Sequence, residues 1–469
     1  MKTNRRDFIK IAGLAGAGIA GSRLAGCTER ATVEPPFLLS HHQTFNMSGY
    51  AAPKLETVRI GIIGIGNRGS GALRRHVRIE GVEITALADL DPARAARGRE
   101  FVREYGHEPA VYSGGEDEWK KLCERDDVDL VYICTPWHLH APQSIYAMEN
   151  DKHAATEIPA AQTMDDCWRL VETSERTRKH CIMLENVCYD FFEMMTLNMA
   201  RQGFFGELVH GEGAYIHYAI ERSFSKTAYS NMWRLEENSS RNGNLYPMHG
   251  LGSIAQIMDI NYGDRMDYMV SVSSNDFIMG KRAVELASED DFWHQYVGLD
   301  YRGNINTSII RTGKGRTIML QHDVSSMRPY TRIHLISGTS GIARKYPAPA
   351  RIATGHRDWV TDEEFRELEE KYTPEITRRV GEMARQIGGH GGMDTIMDWR
   401  LVDCLRNGLP LDMTVYDAAL WSSIIPLSEW SVANRSMPVD VPDFTGGSWQ
   451  TNHPLMDIKL DKGGTTKLI

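Results

Sequence analysis

A glycine-rich turn between an apolar strand and a helix is the feature that most restricts how this chain can fold. The segment VRIGIIGIG (residues 58–66) predicts a buried strand, and SGALRRHVRI (residues 70–79) predicts a helix. Gly64, Gly66 and Gly69 form the pattern G-x-G-x-x-G where the strand turns into the helix. The first glycine allows the tight turn, the second lets the backbone approach a pyrophosphate, and the third lets the helix pack closely on the strand.

Strand and helix patterns continue to alternate after this turn, which predicts a parallel sheet. Further strands are predicted at residues 82–89, 128–136 and 153–159, with helices at 93–106 and 142–151 between them. Parallel strands need crossover connections, so this alternation indicates an α/β architecture with a doubly wound parallel sheet of the Rossmann type. We expect this first domain to span residues 56–159.

The end of the second predicted strand carries the acidic residue that a dinucleotide site needs. Asp89 lies 20 residues after Gly69, where its carboxylate can accept hydrogen bonds from the adenosine ribose hydroxyls. The helix N-terminus after the glycines also favours the phosphate charge. The glycine pattern alone fits an ordinary tight βα turn, but together with Asp89 it predicts a dinucleotide site. Because no arginine adjoins Asp89, we expect NAD rather than NADP.

The pattern changes after residue 160 and predicts a second domain over residues 160–469. Helices are predicted at 163–179 and 191–203, followed by alternating strands joined by short turns rich in Gly, Asn or Ser. These strand segments lie at residues 207–218, 266–274, 297–312, 316–324 and 331–344. They indicate an α+β domain with a large, mostly antiparallel open sheet, one face of which packs against helices.

Three later segments are predicted to be helical. The charged residues 362–386 are typical of an exposed insertion. Residues 392–408 and the apolar run 418–434 predict helices, and we expect this C-terminal segment to pack back on the first domain.

The first 26 residues have the composition of an export signal. Arg5 and Arg6 precede an apolar run over residues 9–20, which is too short for an ordinary membrane span. The segment NRRDFIK resembles a twin-arginine signal, and LAGC, ending at Cys27, resembles a lipobox, where a lipid is attached to the cysteine. We expect residues 1–26 to be a signal peptide, and the protein to be lipid-anchored at Cys27 to a bacterial membrane, on its periplasmic or cell-surface side.

Residues 27–55 are rich in Pro, Ser, His and Thr and are predicted to form a tether. His41 and His42 within it are expected to be solvated.

The net charge of −9 and the pI near 6.0 argue against nucleic acid as a partner, since that would need a basic face. The cysteines after Cys27 contain no Cys-x-x-Cys pair and no zinc spacing, so we expect buried thiols and no metal. A disulfide between Cys181 and Cys188 is left open.

Two segments at the ends of predicted strands resemble the Gfo/Idh/MocA family. They are CTPWHLHAPQ (residues 134–143) and TEIP (residues 156–159), which match the family's T-P-x-x-x-H and E-K-P motifs beside the nicotinamide ribose. One departure is Ile158, which stands where the dehydrogenases of that family carry a lysine that assists proton transfer. Its absence removes an acid/base group and argues against plain alcohol dehydrogenation.

Three further segments resemble glycoside hydrolase family 109, a branch of NAD-dependent α-N-acetylgalactosaminidases. They are GNLYPMHGLG (residues 243–252), MRPYTRIHLISGTSG (residues 327–341) and GGHGGMD (residues 388–394). The resemblance covers nearly all of the chain after the signal. It implies a glycoside substrate, and relatives in the wider family commonly associate through the open sheet, so a homo-oligomer is also expected.

The resemblance implies specific contacts. Beside the glycines, NAD is expected to contact Asn67, Arg68, Asp89, Trp137, His138, Leu139, His140, Glu157, Ile158, Asn186 and Tyr246. Substrate is expected to contact Tyr215, Arg234, Tyr246, Pro247, Met248, His249 and Tyr330. The candidate catalytic residues are Tyr246, His249, Glu157 and Tyr215, with their individual acid and base roles left open.

Each of these residues also has an ordinary structural interpretation. Tyr215 and His217 alternate with apolar neighbours, as sheet residues do. His138 and His140 fit a solvated loop, and His390 between two glycine pairs fits a hinge.

Tyr246 and His249 are the exception in that their spacing itself points to chemistry. They lie three residues apart at the start of a predicted helix and so share one face, as a paired acid and base require, although packing alone could also place them there.

Export limits the reaction that a bound NAD can serve. A protein that folds around NAD before export cannot exchange the reduced cofactor outside, so the hydride must return within one turnover. Glycoside cleavage by oxidation at C3, loss of the C2 proton, departure of the C1 aglycone, addition of water and re-reduction satisfies this requirement. The alternatives are a periplasmic sugar oxidoreductase that recycles its bound cofactor between two sugars, and a sugar-binding lipoprotein with an unused cofactor fold.

Overall fold

The first sheet is a six-stranded parallel sheet, as the alternation of strands and helices predicted. The computed structural model describes residues 37–469, and the predicted signal peptide with Cys27 lies outside this range. The strands are β1 (Val58–Ile63), β2 (Val82–Asp89), β3 (Ala110–Ser113), β4 (Leu130–Ile133), β5 (His153–Thr156) and β6 (Cys181–Met183). They lie in the order β3-β2-β1-β4-β5-β6. The order reverses between β1 and β4, and ligands of such sheets bind at the carboxyl ends beside that point.

Five helices connect these strands. They are α1 (Asn67–His76), α2 (Pro92–Arg103), α3 (Glu118–Cys123), α4 (Trp137–Glu149) and α5 (Met164–Thr177). Strand β4 is buried along its whole length, as expected for a central strand covered by helices on both faces. The prediction missed β3 and α3, because β3 has four half-buried residues and α3 has only six residues.

The first sheet extends past the predicted domain boundary at residue 159. Strand β6 pairs in parallel with β5 through Ala154 and Cys181. Strand β6, and the helix α5 that leads to it, therefore belong to the first domain rather than to the second. The three-residue strand β6 carries too short a pattern to be recognised alone. Cys181 and Cys188, for which a disulfide was left open, are both free thiols.

The second sheet has eight strands. They are β7 (Leu208–Ile216), β8 (Met266–Ser273), β9 (Ile305–Thr312), β10 (Thr317–Asp323), β11 (Leu335–Gly338), β12 (Ile342–Arg344), β13 (Arg351–Ala353) and β14 (Val439–Asp440), in the order β13-β12-β11-β7-β10-β9-β8-β14. Only β7 and β10 pair in parallel. Burial alternates along β9, so one face of the sheet is covered and the other is open.

Within residues 37–469, nine α-helices accompany the second sheet. They are α6 (Phe191–Arg201), α7 (Ile220–Ser223), α8 (Trp233–Ser240), α9 (Met248–Ile257), α10 (Met279–Ala287), α11 (Asp362–Tyr372), α12 (Glu375–Ile387), α13 (Met393–Asn407) and α14 (Val415–Ala433). Helix α9 packs on β7, and α14 packs on β8. As predicted, the C-terminal segment returns to the first domain: α13 contacts α1 and β1, α14 contacts α5 and β6, and Leu468 bridges to Ile79.

The charged segment 362–386 is not wholly an exposed insertion. It forms α11 and α12; α12 buries Ile376, Val380 and Ala384, and it packs against α13. The many charged residues lie on the outer faces of the two helices, which is why the composition indicated an exposed segment.

The prediction of a tether up to residue 55 is wrong for its described part, residues 37–55. The carbonyl of Leu38 accepts a hydrogen bond from the Trp168 indole at 3.1 Å, and His41 Nε2 lies 3.1 Å from a carboxylate oxygen of Glu175. The same carboxylate accepts the backbone N–H of Thr44 at 2.8 Å. His41 is therefore docked rather than solvated, whereas His42 is exposed as expected. The prediction failed because the composition of the segment does not show that the buried carboxylate of Glu175 lies nearby to accept its hydrogen bonds.

Candidate active site

A cleft of about 1650 Å³ opens between the carboxyl ends of the first sheet's strands and the second sheet. This volume exceeds the roughly 300–1,000 Å³ of a pocket for one small ligand, so it can hold a dinucleotide and a sugar together. The predicted site residues that line it are Gly64, Gly66, Asn67, Arg68, Asp89, Trp137, His138, Leu139, His140, Glu157, Ile158, Asn186, Tyr215, Arg234, Tyr246, His249 and Tyr330.

The glycine turn has the geometry of a pyrophosphate cradle. Gly64 has a φ of +88°, and a Cβ there would lie 2.8 Å from the carbonyl oxygen of Cys134. A Cβ on Gly69 would lie 1.9 Å from the carbonyl oxygen of Gly64, so this residue packs the helix on the turn and does not line the cleft. A Cβ on Gly66 would meet no atom within 4 Å, and α1 begins after it with no side-chain cap. Open space in front of uncapped N–H groups fits a bound phosphate.

Asp89, which was predicted to bind the adenosine ribose, lines the cleft beside the glycine turn. Its carboxylate accepts the backbone N–H of Ile65 at 2.6 Å and that of Asp91 at 2.8 Å, which fixes its orientation beside the glycine turn. Each oxygen keeps a further lone pair, because a carboxylate can accept about four hydrogen bonds. The arrangement therefore fits a ribose whose hydroxyls donate to Asp89.

Arg68 ties the two domains together across the floor of the cleft. Its Nε donates to Glu157 at 2.7 Å, and its Nη1 lies 3.1 Å from Asp394 Oδ2. Burial opposes the charge of Arg68, but Glu157 and Asp394 raise its pKa well above the ordinary value. Asn186 donates to the other oxygen of Asp394. The carboxylate of Glu157 is thus held as an ion pair, and its proposed role in catalysis stays a prediction.

His390 covers this ion-pair network from the second domain. Its Nδ1 lies 2.9 Å from Asp394 Oδ2, and its side chain lines the cleft. Burial opposes the charge of Asp394, but His390, Arg68 and Arg75 lower its pKa far below the ordinary range. His390 therefore contacts charged groups of the site, which a plain hinge would not require.

The segment after β4, which was predicted to face the nicotinamide, lines the cleft. Trp137 stacks on Tyr246 with ring centroids 5.3 Å apart and an interplanar angle of 21°. His140 is buried, and its two ring nitrogens each lie 2.7 Å from a carbonyl oxygen, Nδ1 from Pro159 and Nε2 from Thr135. His140 thus holds the β4 and β5 turns together, whereas the neighbouring His138 is exposed at the cleft edge.

Tyr246, Tyr215 and His249, which were predicted to contact substrate, form one cluster in the cleft. The Tyr215 ring lies 4.7 Å from that of Tyr246 and 5.5 Å from that of His249, and the Tyr246 and His249 rings lie 5.2 Å apart. The Tyr215 hydroxyl lies 2.9 Å from His217 Nδ1. Burial raises the pKa of Tyr246 well above its ordinary value, although Arg234 acts in the opposite direction. At neutral pH the Tyr246 hydroxyl is therefore protonated and can donate.

The rings of Tyr246 and His249 lie close together, although Tyr246 lies just before the helix that contains His249. Helix α9 begins at Met248 after Pro247, so the predicted shared helical face starts two residues later than expected. Pro247 and Met248, which were predicted to contact substrate, do not line the cleft, and Met248 is fully buried. They turn the chain into α9 and anchor it.

Arg234 faces the same end of the cleft inside a ring of aromatic side chains. Its guanidinium carbon lies 5.0 Å from the ring centroid of Trp137 and 5.3 Å from that of Tyr246. Trp233 and Tyr229 flank it at similar distances. A guanidinium between aromatic faces keeps its N–H donors directed outward, which suits a sugar hydroxyl or carbonyl.

Sequence reasoning missed two polar residues of the site. Asp394 ends the GGHGGMD segment that carried the family resemblance, so its position was available as a signal. Glu185 precedes Asn186 in LENVCY, and its carboxylate lies 2.8 Å from His249 Nδ1. No local pattern connects residues that lie 64 positions apart.

Within residues 37–469, no group of three or more His, Cys, Asp and Glu side chains could hold a metal ion. No helix in the same range combines the length and apolar character needed to cross a bilayer.

Solved structures with the same fold include two oxidoreductases whose names refer to sugars. A levoglucosan dehydrogenase in complex with NADH and L-sorbose matches with a TM-score of 0.63 at 17% identity, covering 83% of this chain and all of that chain. An aldose-aldose oxidoreductase from Caulobacter crescentus matches with a TM-score of 0.59 at 17% identity, covering 82% of this chain and 99% of that chain. At this identity the likeness establishes the fold alone.

Sequence comparison identifies both domains. Residues 58–185 match the model of the oxidoreductase family with an NAD-binding Rossmann fold, and residues 189–451 match the C-terminal domain of glycosyl hydrolase 109. The boundary between the two matches follows β6, in agreement with the sheet topology. NAD is therefore the cofactor of the first domain.

The relatives described next match between 85% and 97% of this chain. A glycosyl hydrolase family 109 protein of Shewanella pealeana is 46% identical over 97% of this chain and 99% of its own length. A family 109 protein of Porphyromonas gingivalis is 49% identical over 85% of this chain and 86% of its own length. A Bacteroides fragilis protein named alpha-N-acetylgalactosaminidase is 46% identical over 86% of this chain and 96% of its own length. The chain thus belongs to glycosyl hydrolase family 109, and it is a glycoside hydrolase with an NAD-binding Rossmann domain.

Proposed function

We propose that the protein hydrolyses terminal α-N-acetylgalactosaminides by transient oxidation at C3 of the sugar. The observation that carries this proposal is the cluster of Tyr246, Tyr215 and His249 beside Trp137, in the cleft next to the carboxyl end of β4. The substrate class follows the name of the Bacteroides fragilis relative.

NAD, when bound, supplies the acceptor and later the donor of the hydride at C3. The protein must then move protons at the C3 hydroxyl, at C2, and at the departing oxygen on C1. A C3 ketone acidifies the C2 proton; its removal expels the aglycone from C1, and water adds to the resulting enone before the ketone is reduced. The protonated Tyr246 hydroxyl and the imidazole of His249 are the groups that we assign to these transfers.

The carboxylates of the cleft support this assignment. Ordinary glycosidases place two carboxyl groups on either side of the scissile bond. Two of the carboxylates that line the cleft, Glu157 and Asp394, are both bound to Arg68, so neither of these two is a free acid or base. Tyr215 and Tyr330 line the cleft near the cluster and are assigned to orienting the sugar.

Hydrogen exchange at C2 tests the proposed route. In deuterated water, with 4-nitrophenyl α-N-acetylgalactosaminide as substrate, the released sugar is expected to carry deuterium at C2. A substrate deuterated at C3 is expected to react more slowly if hydride transfer limits the rate. Release of nitrophenol with hydrogen retained at C2 contradicts the route.

Retention of the cofactor is the second test. The purified protein is expected to contain NAD or NADH, detected by mass spectrometry after denaturation. Transfer of deuterium from one sugar to a second, without release of nitrophenol, supports the alternative of an internally recycled sugar oxidoreductase. A protein that lacks the nucleotide and does not bind it when supplied contradicts both enzymatic functions.

We also propose that the protein is exported by the twin-arginine route and lipid-anchored at Cys27. The motif around Arg5 and Arg6 and the small residues before Cys27 support this location. Cys27→Ala is expected to move the protein from the membrane fraction to the soluble fraction, and replacement of both arginines by lysine is expected to retain it in the cytoplasm. Membrane association that persists in Cys27→Ala contradicts the anchor.

Association of two or more copies through the open face of the second sheet is a further proposal. Val209, Tyr268, Val272 and Ile309 lie exposed on strands of this sheet. Light scattering of the protein without its signal is expected to give a multiple of the monomer mass. A monomer at micromolar concentration contradicts the proposal.

A further inference from the structure

A buried carboxylate, Glu185, lies directly behind His249. Its Oε1 lies 2.8 Å from His249 Nδ1 and accepts the backbone N–H of Val187 at 3.0 Å. The side chain of Glu185 is fully buried and does not line the cleft, whereas His249 does. Glu185 is thus placed to act on the reaction only through His249.

The contact fixes which nitrogen of His249 carries hydrogen. Among residues 37–469, no lysine or arginine lies within ion-pair distance of Glu185, so His249 is its only basic partner there. Because Oε1 already accepts from Val187, it acts as an acceptor, and His249 Nδ1 is the donor. The neutral imidazole then keeps an unprotonated Nε2, which makes no hydrogen bond to the described residues.

The surrounding packing reserves space for this carboxylate. Gly252 lies three residues after His249 on α9, and a Cβ there would lie 2.8 Å from Glu185 Cγ and 3.1 Å from Cys188 Sγ. Glu185 itself is the N-cap residue of the short 3-10 turn Asn186–Tyr189, just after β6. The first sheet therefore positions the carboxylate, and a helix of the second domain positions the imidazole.

We propose that Glu185 is the positioning residue for proton transfer at His249. It holds the imidazole with Nε2 free to take a proton from the sugar, and it stabilises the imidazolium until that proton is passed on to an oxygen of the substrate. A buried carboxylate behind a catalytic histidine has this orienting role in other hydrolases. The inference rests on the proposed function, which assigns a proton transfer to His249.

The tautomer of His249 tests the inference without turnover. Nitrogen NMR of protein labelled at histidine, with the signal assigned by its loss in His249→Asn, is expected to show the Nδ1–H form in the wild type. In Glu185→Gln the amide can donate as well as accept, so a mixture of tautomers is expected. An Nε2–H form in the wild type overturns the inference, and this measurement does not depend on whether any variant at position 185 folds.

Kinetics separate positioning from a structural role. Glu185→Gln is expected to lower kcat about 10- to 100-fold, because second-layer partners of a functional histidine have effects of this size. KM is expected to change less than about 2-fold, since Glu185 does not touch the substrate.

Glu175→Gln is the matched control. Glu175 is also a buried carboxylate bound to a histidine, His41 at 3.1 Å, but it lies outside the cleft. Its kcat is expected to equal that of the wild type. Equal kcat values for Glu185→Gln and the wild type overturn the inference. A wild type that shows the expected tautomer but does not cleave the glycoside contradicts the proposed function alone.

Discussion

At the scale of single residues, Tyr246 combines a buried ring with a hydroxyl that bonds to no described protein group. Tyr246 is 8% exposed, and its ring packs against Trp137 and Tyr215. Its hydroxyl has no hydrogen-bond partner among the described residues, so its contribution to folding comes from the ring and its contribution to chemistry from the hydroxyl.

Tyr246→Phe separates these two contributions. Removing the hydroxyl is expected to lower kcat by about 100-fold or more, the usual contribution of a general acid or base, while the ring still packs. The melting temperature is expected to stay at the wild-type value. Glycosidase kinetics and thermal unfolding measure the two effects.

Tyr262→Phe is the opposite case. The buried Tyr262 hydroxyl donates to Asp417 Oδ2, outside the cleft. Its removal is expected to cost about 1–3 kcal/mol of unfolding free energy and to leave kcat unchanged. For the other variant, a Tyr246→Phe protein with wild-type kcat would show that the Tyr246 hydroxyl takes no part in the reaction.

At the scale of elements, the position of His249 depends on how closely α9 approaches β7. Gly250 of α9 and Gly213 of β7 face each other: a Cβ on Gly250 would lie 2.4 Å from the backbone nitrogen of Ala214, and one on Gly213 would lie 2.0 Å from the carbonyl oxygen of Gly250. Backbone packs on backbone at this point, so no side chain can be accommodated without separating helix and sheet.

Gly250→Ala is expected to move α9 away from β7. The overlap is expected to cost about 1–3 kcal/mol of stability, which exceeds the gain in helix propensity of roughly 0.5–1 kcal/mol. It is also expected to lower kcat, because His249 precedes the substituted residue. Urea unfolding and kinetics test this expectation. Gly355→Ala, where a Cβ meets no atom within 4 Å, should change neither quantity.

The docked N-terminal segment is the second element-scale feature. Glu175 binds it through His41 and through the backbone of Thr44, and the Tyr416 hydroxyl donates to the same carboxylate at 3.0 Å. Burial opposes the charge of Glu175, but these hydrogen bonds lower its pKa. The segment is thus held by charge-assisted hydrogen bonds rather than by a large apolar surface.

Glu175→Gln is expected to release this segment locally. Loss of the charge weakens the hydrogen bonds by about 1–3 kcal/mol, so limited proteolysis within residues 38–47 should accelerate. Glu172→Gln, at an exposed position on the same helix, is expected to leave the cleavage rate unchanged. Equal rates in both variants contradict the role assigned to Glu175.

At the scale of the whole molecule, buried histidines make the stability depend on pH. Burial, assisted by Lys179, lowers the pKa of His153 from 6.5 to about 3. Burial, assisted by Lys345 and Arg332, lowers that of His334 to about 3 as well. The unfolded chain binds these protons near pH 6.5 and the folded chain only near pH 3, so stability falls as the pH drops between these values.

The urea concentration at the midpoint of unfolding is therefore expected to decrease as the pH is lowered from 7.5 to 5. In His334→Gln this pH dependence should be smaller, because one of the groups that takes up a proton on unfolding is removed. His42→Gln changes an exposed histidine and should keep the wild-type dependence. A midpoint that does not change with pH in the wild type contradicts the prediction.

The sequence by itself determined the class of fold and the cofactor. The glycine turn, Asp89 and the alternation of strands and helices are local patterns, and local patterns follow directly from backbone preferences and burial. Longer family motifs indicated Tyr246 and His249. The tertiary structure alone decided that β6 is the edge strand of the first sheet, that the segment before residue 55 binds to Glu175, and that Glu185 contacts His249. Each of these outcomes joins segments far apart in the chain, where buried polar groups find partners that no local pattern specifies.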